Sequence, residues 1–202
     1  MTVSFNLNLK GKKILIIGGG RVATRKIKSL LAEQAIVRVI SPIVTTSIRL
    51  WVEQGKINWL QRKWQHGDCS GAFLVIAATD NPEVNLQIAM DCNDFQLLCV
   101  IDQPEQSTIS FPATLRRGRL TVSVATDGAS PLFSRQLRDK IGLDLADDTA
   151  DYLDFLHQLR RSVFNRISDI QERKWWNQEA LRPEYHDRKK QAQLLSIFHS
   201  EE

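Results

Sequence analysis

Residues 14–23 read Ile-Leu-Ile-Ile-Gly-Gly-Gly-Arg-Val-Ala, a short apolar run that meets three glycines and continues as an amphipathic segment. The glycines satisfy the pattern G-x-G-x-x-[GA], which is typical of a strand, a tight turn and a helix that bind a dinucleotide. Gly18 permits the turn, Gly20 lets the backbone approach a pyrophosphate, and Ala23 lets the helix pack close to the strand. The unpaired amides at the start of such a helix attract phosphates. The alternative is a glycine turn that binds nothing.

The segments around this turn alternate between short apolar runs and helix-like stretches. That alternation is typical of βαβ units and a parallel sheet. We predict strands at 13–17, 37–40, 56–60, 72–77 and 97–101, and helices at 21–33, 44–54 and 82–91. The sequence therefore predicts an α/β fold for the first half of the chain.

The character of the sequence changes after residue 102. We predict strands at 108–111, 113–115 and 119–125, a helix from 131 to about 141, and only helices from 147 onward. Apolar residues recur there at spacings of three and four, which indicates a buried helix face: Tyr152, Phe155, Leu156, Leu159, Val163 and Ile167. We interpret this face as packing or dimerisation rather than as a cofactor site.

Composition excludes several classes of protein. The net charge of +4 and the pI near 9.1 favour anionic ligands, but no basic run with interleaved aromatics points to nucleic acid. No apolar run is long enough for a membrane helix, and the N-terminal residues lack signal-peptide features, so we expect a cytoplasmic location. The three cysteines and four histidines show no metal-binding spacing, so no metal site is predicted.

The end of the second predicted strand lacks the acidic residue that usually holds the ribose hydroxyls of NAD. This place is occupied by Ser41, Pro42 and Ile43. The Ser41 side chain would offer the ribose a weaker hydrogen bond than a carboxylate, and the backbone at Pro42 and Ile43 would make the remaining contacts. Arg38 lies inside the strand and would meet a 2′-phosphate only if it faced the crevice. The sequence therefore favours NAD over NADP.

Several stretches occur in an order and at separations that are far more specific than a glycine turn alone: residues 9–13, 18–26, 41–42, 73–82, 100–102, 111–113 and 128–131. Together they make residues 3–145 resemble the precorrin-2 dehydrogenase family, which is also the N-terminal module of multifunctional siroheme synthases. The resemblance implies a Rossmann NAD-binding domain (1–112), a small α+β dimerisation region (113–146) and a helical C-terminal domain (147–202). It also implies a homodimer.

The same resemblance implies NAD-dependent oxidation of precorrin-2 to sirohydrochlorin in siroheme biosynthesis. In some family members ferrous iron is then inserted to give siroheme. The family's NAD contacts fall on Arg21, Val22, Pro42 and Ile43 of this sequence. A non-catalytic NAD-binding sensor or regulatory protein is the alternative of a different class.

Asp102 is the predicted catalytic base. It follows a predicted strand, so it should lie at the carboxyl edge of the sheet, where ligands bind in such folds. A carboxylate flanked by apolar Val100 and Ile101 is suited to accept a proton near neutral pH. The alternative for Asp102 is a cap or turn residue before Pro104.

Two further groups of residues are predicted around the ligands. Thr79 and Asp80 end another strand at the same edge and should line the crevice, and the alternative for Asp80 is a cap for the following helix. The substrate carries many carboxylates, so we expect cationic side chains around it, unless these are only solvated surface charges. The candidates are Arg116, Arg117, Arg119, Arg135 and Arg138.

Overall fold

The computed structural model describes residues 3–198, and the chain divides into two compact units, residues 1–111 and 112–202. The first unit contains a five-stranded sheet and three helices. Its strands are β1 (Lys13–Ile17), β2 (Ile36–Ile40), β3 (Ile57–Leu60), β4 (Leu74–Ala77) and β5 (Leu97–Val100). Its helices are α1 (Arg21–Ala32), α2 (Thr46–Glu53) and α3 (Pro82–Asp91).

All strand pairs of this sheet are parallel, in the order β3-β2-β1-β4-β5. The chain runs outward from β1 to β3 and then returns to the other side of β1, so the strand order reverses between β1 and β4. Ligands of open α/β sheets bind at that reversal, outside the carboxyl ends of the strands. The expected α/β fold class with a parallel sheet is confirmed.

Both faces of β1 are buried, which is why its sequence is continuously apolar instead of alternating. Ile14 and Ile16 join the cluster that packs against α1 and α2, whereas Leu15 and Ile17 join the cluster on the other face. Complete burial of each such side chain contributes about 1.5–3 kcal/mol. Because β1 is packed on both faces, the core fixes the position of the glycine turn that follows it.

The edge of β5 corrects one prediction. Residues 108–111, expected to form a strand, do not form one. The Ser107 and Thr108 hydroxyls instead accept hydrogen bonds from the amides of Val100 and Leu98, each at 2.8 Å, and the carbonyls of these two residues are bonded by the same segment. The two hydroxyls, together with the backbone amides of Thr108 and Ile109, thus satisfy the outward backbone groups of β5 without a sixth strand.

The second unit begins with an antiparallel hairpin, β6 (Ala113–Arg117) and β7 (Leu120–Val124). Gly118 occupies the turn with φ +54°, and a Cβ there would lie 2.9 Å from Cβ of Ala150. Helix α4 (Pro131–Asp144) packs on the hairpin and is three residues longer than predicted. The Ser130 side chain caps α4 by accepting a hydrogen bond from the amide of Phe133.

Three helices complete the second unit: α5 (Thr149–Arg166), α6 (Ile170–Glu179) and α7 (Arg188–Ser196). The predicted apolar face of α5 is buried or half-buried, with Phe155, Leu159 and Val163 at its centre. Ala180, Leu194 and Phe198 pack against them. The stripe therefore serves as the core of this unit, as the interpretation in terms of packing expected.

Candidate active site

Gly18 directly follows β1 in a conformation that only glycine adopts readily. Its φ is +115°, and a Cβ at this position would lie 2.2 Å from the carbonyl oxygen of Ala78 at the end of β4. Its amide also donates to the carbonyl of Ile40 at 2.9 Å, so the turn is tied to the ends of both neighbouring strands. The absence of a side chain allows the turn to sit directly over the point where the strand order reverses.

Gly19 has a packing role that sequence reasoning missed. A Cβ there would lie 2.2 Å from the carbonyl oxygen of Ile43, and the Gly19 carbonyl accepts a hydrogen bond from the amide of Thr45 at 3.0 Å. The middle glycine therefore fits the loop that follows β2 against the glycine turn. One signal for this role was present in the sequence: position 19 is a glycine, although the dinucleotide pattern accepts any residue there.

Gly20 faces open space. A Cβ built on it would meet no atom within 4 Å, and it caps α1 without a side-chain hydrogen bond. The first amides of α1 therefore have no side-chain partner at the cap, and the space in front of them is clear for a phosphate. Arg21 is exposed and Val22 half-buried beside them, while Ala23 is fully buried where α1 meets the sheet.

The loop after β2 uses its polar groups internally. The buried Ser41 hydroxyl donates to the carbonyl of Ile43 at 2.6 Å, and the indole of Trp59 donates to the carbonyl of Ser41 at 2.9 Å. The proton of the Ser41 hydroxyl is therefore already committed, and only its oxygen can accept a bond from a ribose. The side chains of Pro42 and Ile43 are exposed at the rim.

Arg38 lies two residues before the end of β2, paired in register with Leu15. Its charge reaches the loop after β3: the pKa of Asp68 is lowered chiefly by the hydrogen bond from Arg62 and, to a smaller extent, by Arg38. Arg38 thus lies inside the strand, as predicted, and not at its carboxyl end.

The opposite side of the edge carries a chain of side-chain hydrogen bonds. The Asn85 side chain on α3 is fully buried and accepts from the amide and the hydroxyl of Thr79. Its Nδ2 donates to Oδ1 of Asp102 at 2.8 Å. Asn85 therefore joins the ends of β4 and β5 through one amide group, although nothing in the sequence singled it out.

Asp102 lies beyond β5 and is exposed. The apolar residues before it do not shield its carboxylate, because Val100 is buried in the core and Ile101 packs against the cluster of α1. The expected apolar surroundings are therefore wrong. Within residues 3–198, the second carboxylate oxygen has no hydrogen-bond partner.

The start of α3 corrects the expected cap. Asn81, rather than Asp80, caps the helix: its side chain accepts from the amides of Glu83 and Val84 at 2.9 and 3.3 Å. Asp80 is exposed at the same edge of the sheet. The cap is one residue closer to Pro82 than expected, because Pro82 occupies the first helical position.

The arginines predicted to bind substrate carboxylates have structural partners in the second unit. Arg117 donates to the carbonyls of Gly142, Leu145 and Ala146 at the end of α4. Arg119 pairs with Asp154 at 2.7 Å. Arg135 bonds the carbonyl of Pro131, and Arg138 bonds Asp139. Arg116 lies exposed on β6. Arg117 in particular already donates hydrogen bonds to the carbonyls at the C-terminal end of α4.

Lys26 is the most perturbed amine near the site. Its Nζ lies 3.6 Å from the centroid of the Phe111 ring, and no carboxylate pairs with it among the residues that the structure describes. Burial lowers the pKa of Lys26 to about 8, with a further decrease from Arg25 and an opposing effect of Cys99. The ammonium form therefore carries a desolvation cost that no ion pair offsets among these residues and that the contact with Phe111 offsets only in part.

The side chains that could ligate a metal are scattered. Between residues 3 and 198, no three or more His, Cys, Asp or Glu side chains are grouped so that they could hold a metal ion. Cys69 and Cys99 are buried, Cys92 is half-buried, and all three are free thiols.

None of the helices between residues 3 and 198 is long and apolar enough to cross a membrane.

Comparisons with known proteins agree with this architecture. An NAD(P)-binding family model matches residues 5–113, and a model for the central region of sirohaem biosynthesis proteins matches residues 117–142. A solved structure described as SirC, precorrin-2 dehydrogenase, superposes with a TM-score of 0.88 and 27% identity, covering 99% of this chain and 100% of that one.

Relatives of similar length have the same designation. The precorrin-2 dehydrogenase of Bacillus subtilis (strain 168) is 35% identical over 156 residues, which cover 77% of this chain and 96% of the relative. That of Priestia megaterium is 31% identical over 168 residues, 83% of each chain. Siroheme synthase 1 of Aeromonas hydrophila is 35% identical over 83% of this chain but only 36% of its own length. This chain belongs to the precorrin-2 dehydrogenase family.

Proposed function

We propose that Asp102 is the general base in the NAD-dependent oxidation of precorrin-2 to sirohydrochlorin, the reaction of this family. The oxidation removes a hydride and a proton from the macrocycle. NAD, when bound, supplies the hydride acceptor. The proton needs a base at the same edge of the sheet, and an exposed carboxylate with one free oxygen fits that task.

The observation that carries the proposal is the placement of Asp102 at the carboxyl end of β5 with one oxygen already bonded. The hydrogen bond from Asn85 orients the carboxylate, and the second oxygen stays open to a substrate. An aspartate that served only as a cap would direct its oxygens to the amides of the following turn. In the turn that follows, Pro104 has no amide proton, and the amides of Gln106 and Ser107 donate to the backbone carbonyls of Gln103 and Pro104 instead.

The cofactor side is supported by the fit of the backbone to a dinucleotide. Gly20 leaves space before the uncapped start of α1, where a pyrophosphate would accept hydrogen bonds from the amides of Arg21 and Val22. Ser41, Pro42 and Ile43 would lie along the adenosine half, since the loop after β2 is beside the glycine turn. Thr79 would lie toward the nicotinamide half together with Gly18.

The test is an anaerobic spectrophotometric assay with precorrin-2, the purified protein and NAD. We expect formation of sirohydrochlorin together with an equal amount of NADH. A sensor protein would bind NAD without converting precorrin-2, so binding in the absence of turnover would contradict the proposal. Replacing NAD with NADP should lower kcat/KM, because residues 41–43 at the end of β2 offer no cation to a 2′-phosphate.

Ferrous iron insertion stays a prediction from the family. Iron would be a substrate, and an exposed Asp102 carboxylate would accept pyrrole protons as the metal enters the macrocycle. Siroheme formation from sirohydrochlorin and ferrous iron, compared with the rate without protein, tests it. A rate equal to the uncatalysed one would limit the protein to oxidation.

Three further expectations also stay predictions: the cytoplasmic location, the homodimer, and the boundary at residues 146 and 147 between a dimerisation region and a helical domain. The hairpin and α4 would supply the dimer contacts. Sedimentation of the full chain would measure the oligomeric state, and a monomer at micromolar concentration would contradict the homodimer.

A further inference from the structure

We propose that Asn85 is a positioning residue for the oxidation, holding the Asp102 carboxylate in one orientation relative to the end of β4. This inference rests on the proposed role of Asp102 as the base. Asn85 itself need touch neither the macrocycle nor the cofactor. It acts through the two groups that its side-chain amide joins, Thr79 and Asp102.

The orientation of the Asn85 amide is dictated by a backbone group. The Thr79 N–H, 3.2 Å away, can only donate, so Oδ1 of Asn85 must face it. The Thr79 hydroxyl donates to the same oxygen at 2.7 Å. Nδ2 must then point the other way, toward Oδ1 of Asp102 at 2.8 Å and the carbonyl of Thr79 at 3.3 Å.

The reverse orientation of the amide is strongly unfavourable. It would place the Asn85 oxygen against the Asp102 carboxylate and two donors against each other at Thr79. The amide therefore presents a donor to Asp102 at all times, and Oδ1 of Asp102 is the bonded oxygen. The other oxygen is left for the proton of the substrate.

Burial makes this arrangement rigid. Asn85 is fully buried on the inner side of α3, and its amide makes four hydrogen bonds. A buried amide that lost these partners would suffer the full cost of desolvation, so the side chain has little freedom to rotate. An apolar residue would fill the same space, but it would leave the Asp102 carboxylate without the hydrogen bond that orients it.

The position of Thr79 gives the link its functional consequence. Thr79 directly follows Ala78, whose carbonyl oxygen would lie 2.2 Å from a Cβ on Gly18, so Thr79 is the member of the hydrogen-bonded chain that lies beside the glycine turn. One amide thus sets the distance between that turn and the base. Proton and hydride removal from one substrate both depend on this separation, and misplacement by about 1 Å is enough to slow a reaction strongly.

Asn85→Asp is the sharpest test, because it keeps the shape and changes only the donor. While the introduced carboxyl group and Asp102 share one proton, the protonated side chain donates as asparagine does, and we expect activity within about threefold of wild type. When the last shared proton leaves, two carboxylates face each other and repel. We therefore expect kcat to fall at least about tenfold between about pH 6 and pH 8.5, where the wild-type value does not fall.

Asn85→Ala tests the same link without a new charge. We expect kcat to fall about tenfold or more at every pH, because Asp102 is no longer oriented. Gln103→Ala is the matched control: Gln103 donates to the carbonyl of Pro82 at 3.1 Å and so joins the same loop to the same helix without touching the carboxylate. It should retain the wild-type kcat and pH profile.

The double variant Asn85→Ala/Asp102→Ala decides whether Asn85 acts through Asp102. We expect it to match Asp102→Ala within about twofold, since the two residues act as a unit. If Asp102→Ala is inactive but Asn85→Asp follows the wild-type pH profile, or Gln103→Ala loses as much activity as Asn85→Ala, only the positioning role is overturned. If Asp102→Ala remains fully active, the proposed base is overturned and the positioning role with it.

Discussion

At the carboxyl edge of the sheet, backbone groups form the surface after β1 and β2, whereas side chains form the surface after β4 and β5. On the first side, three glycines remove every Cβ from the turn, and the Ser41 hydroxyl is bonded to its own loop. On the second side, Thr79, Asn85 and Asp102 form a continuous chain of hydrogen bonds.

The difference matches two tasks. A dinucleotide is long and carries a pyrophosphate, so close approach of main-chain amides recognises it without requiring a particular side chain. Proton removal needs one titratable group at one place, and neighbouring side chains must hold it there. The two sides should therefore respond differently to substitution.

The largest expected effect is on the side-chain half. Asp102→Ala should lower kcat by about 10²–10⁴-fold, because it removes the proposed base, while the affinity for NAD stays within about twofold. Turnover of precorrin-2 and NAD titration measure the two quantities separately. Asp80→Ala, an exposed aspartate at the same edge, is the control and should keep full activity. Equal losses in both variants would show that local charge, not a base, is what matters.

The next effect is on stability and belongs to the backbone half. Gly18→Ala forces a Cβ to within 2.2 Å of the Ala78 carbonyl at a φ of +115°. Strain and overpacking together should lower the free energy of unfolding by about 2–4 kcal/mol. Urea denaturation measures this decrease. A stability equal to that of wild type would mean that the turn does not need its close approach to β4.

Gly20→Ala separates cofactor binding from folding. Its Cβ would meet no protein atom, so the urea midpoint should fall only slightly, because alanine is a poorer cap than glycine at the start of α1. The same Cβ would enter the space before α1 and should raise the Kd for NAD about tenfold, or about 1.4 kcal/mol. Calorimetric titration with NAD checks it. Unchanged affinity would place the pyrophosphate elsewhere and would break the assignment of the backbone half.

The smallest expected effect concerns the helix that follows the glycines. The pKa of Lys26 in the folded chain is about 8, below its ordinary 10.5, because of burial. The unfolded chain thus binds this proton more tightly, so the penalty on stability is full below about pH 8 and disappears as the pH rises toward 10.5.

Lys26→Met should therefore stabilise the protein by about 1 kcal/mol at pH 7, a value reduced for the partial exposure of the amine and the lost contact with Phe111. The gain should shrink as the pH rises through about 9. Urea unfolding at several pH values measures it, with Lys28→Met on the exposed side of the same helix as the control. A gain that does not depend on pH would attribute the effect to packing alone.

Local patterns predicted much of this molecule. The glycine turn, the alternation of strands and helices, and the helix at 82–91 depend on residues close together in sequence, and the structure has them with ends shifted by at most three residues. The position of Asp102 followed from a general property of parallel sheets. The family resemblance supplied the chemistry.

The role of Asn85 could not be predicted from the sequence, because its hydrogen-bond partners lie six residues before it and seventeen residues after it. An asparagine in a helix has no distinctive spacing, and only the packing of α3 against β4 and β5 shows that its amide is buried. Ser107 and Thr108 were missed for a related reason: a run of hydroxyl residues beside apolar ones looks like a strand until its partner is known.

The hydroxyls of Ser107 and Thr108 also bear on how the chain avoids self-association. An edge strand with free amides is a template for a strand of another molecule and so for aggregation. Here the outward amides and carbonyls of Leu98 and Val100 are already occupied. Replacing both hydroxyl residues with alanine would leave the amides of Leu98 and Val100 without partners next to Asp102, and we expect fibrils or precipitate to form before the enzyme becomes slower.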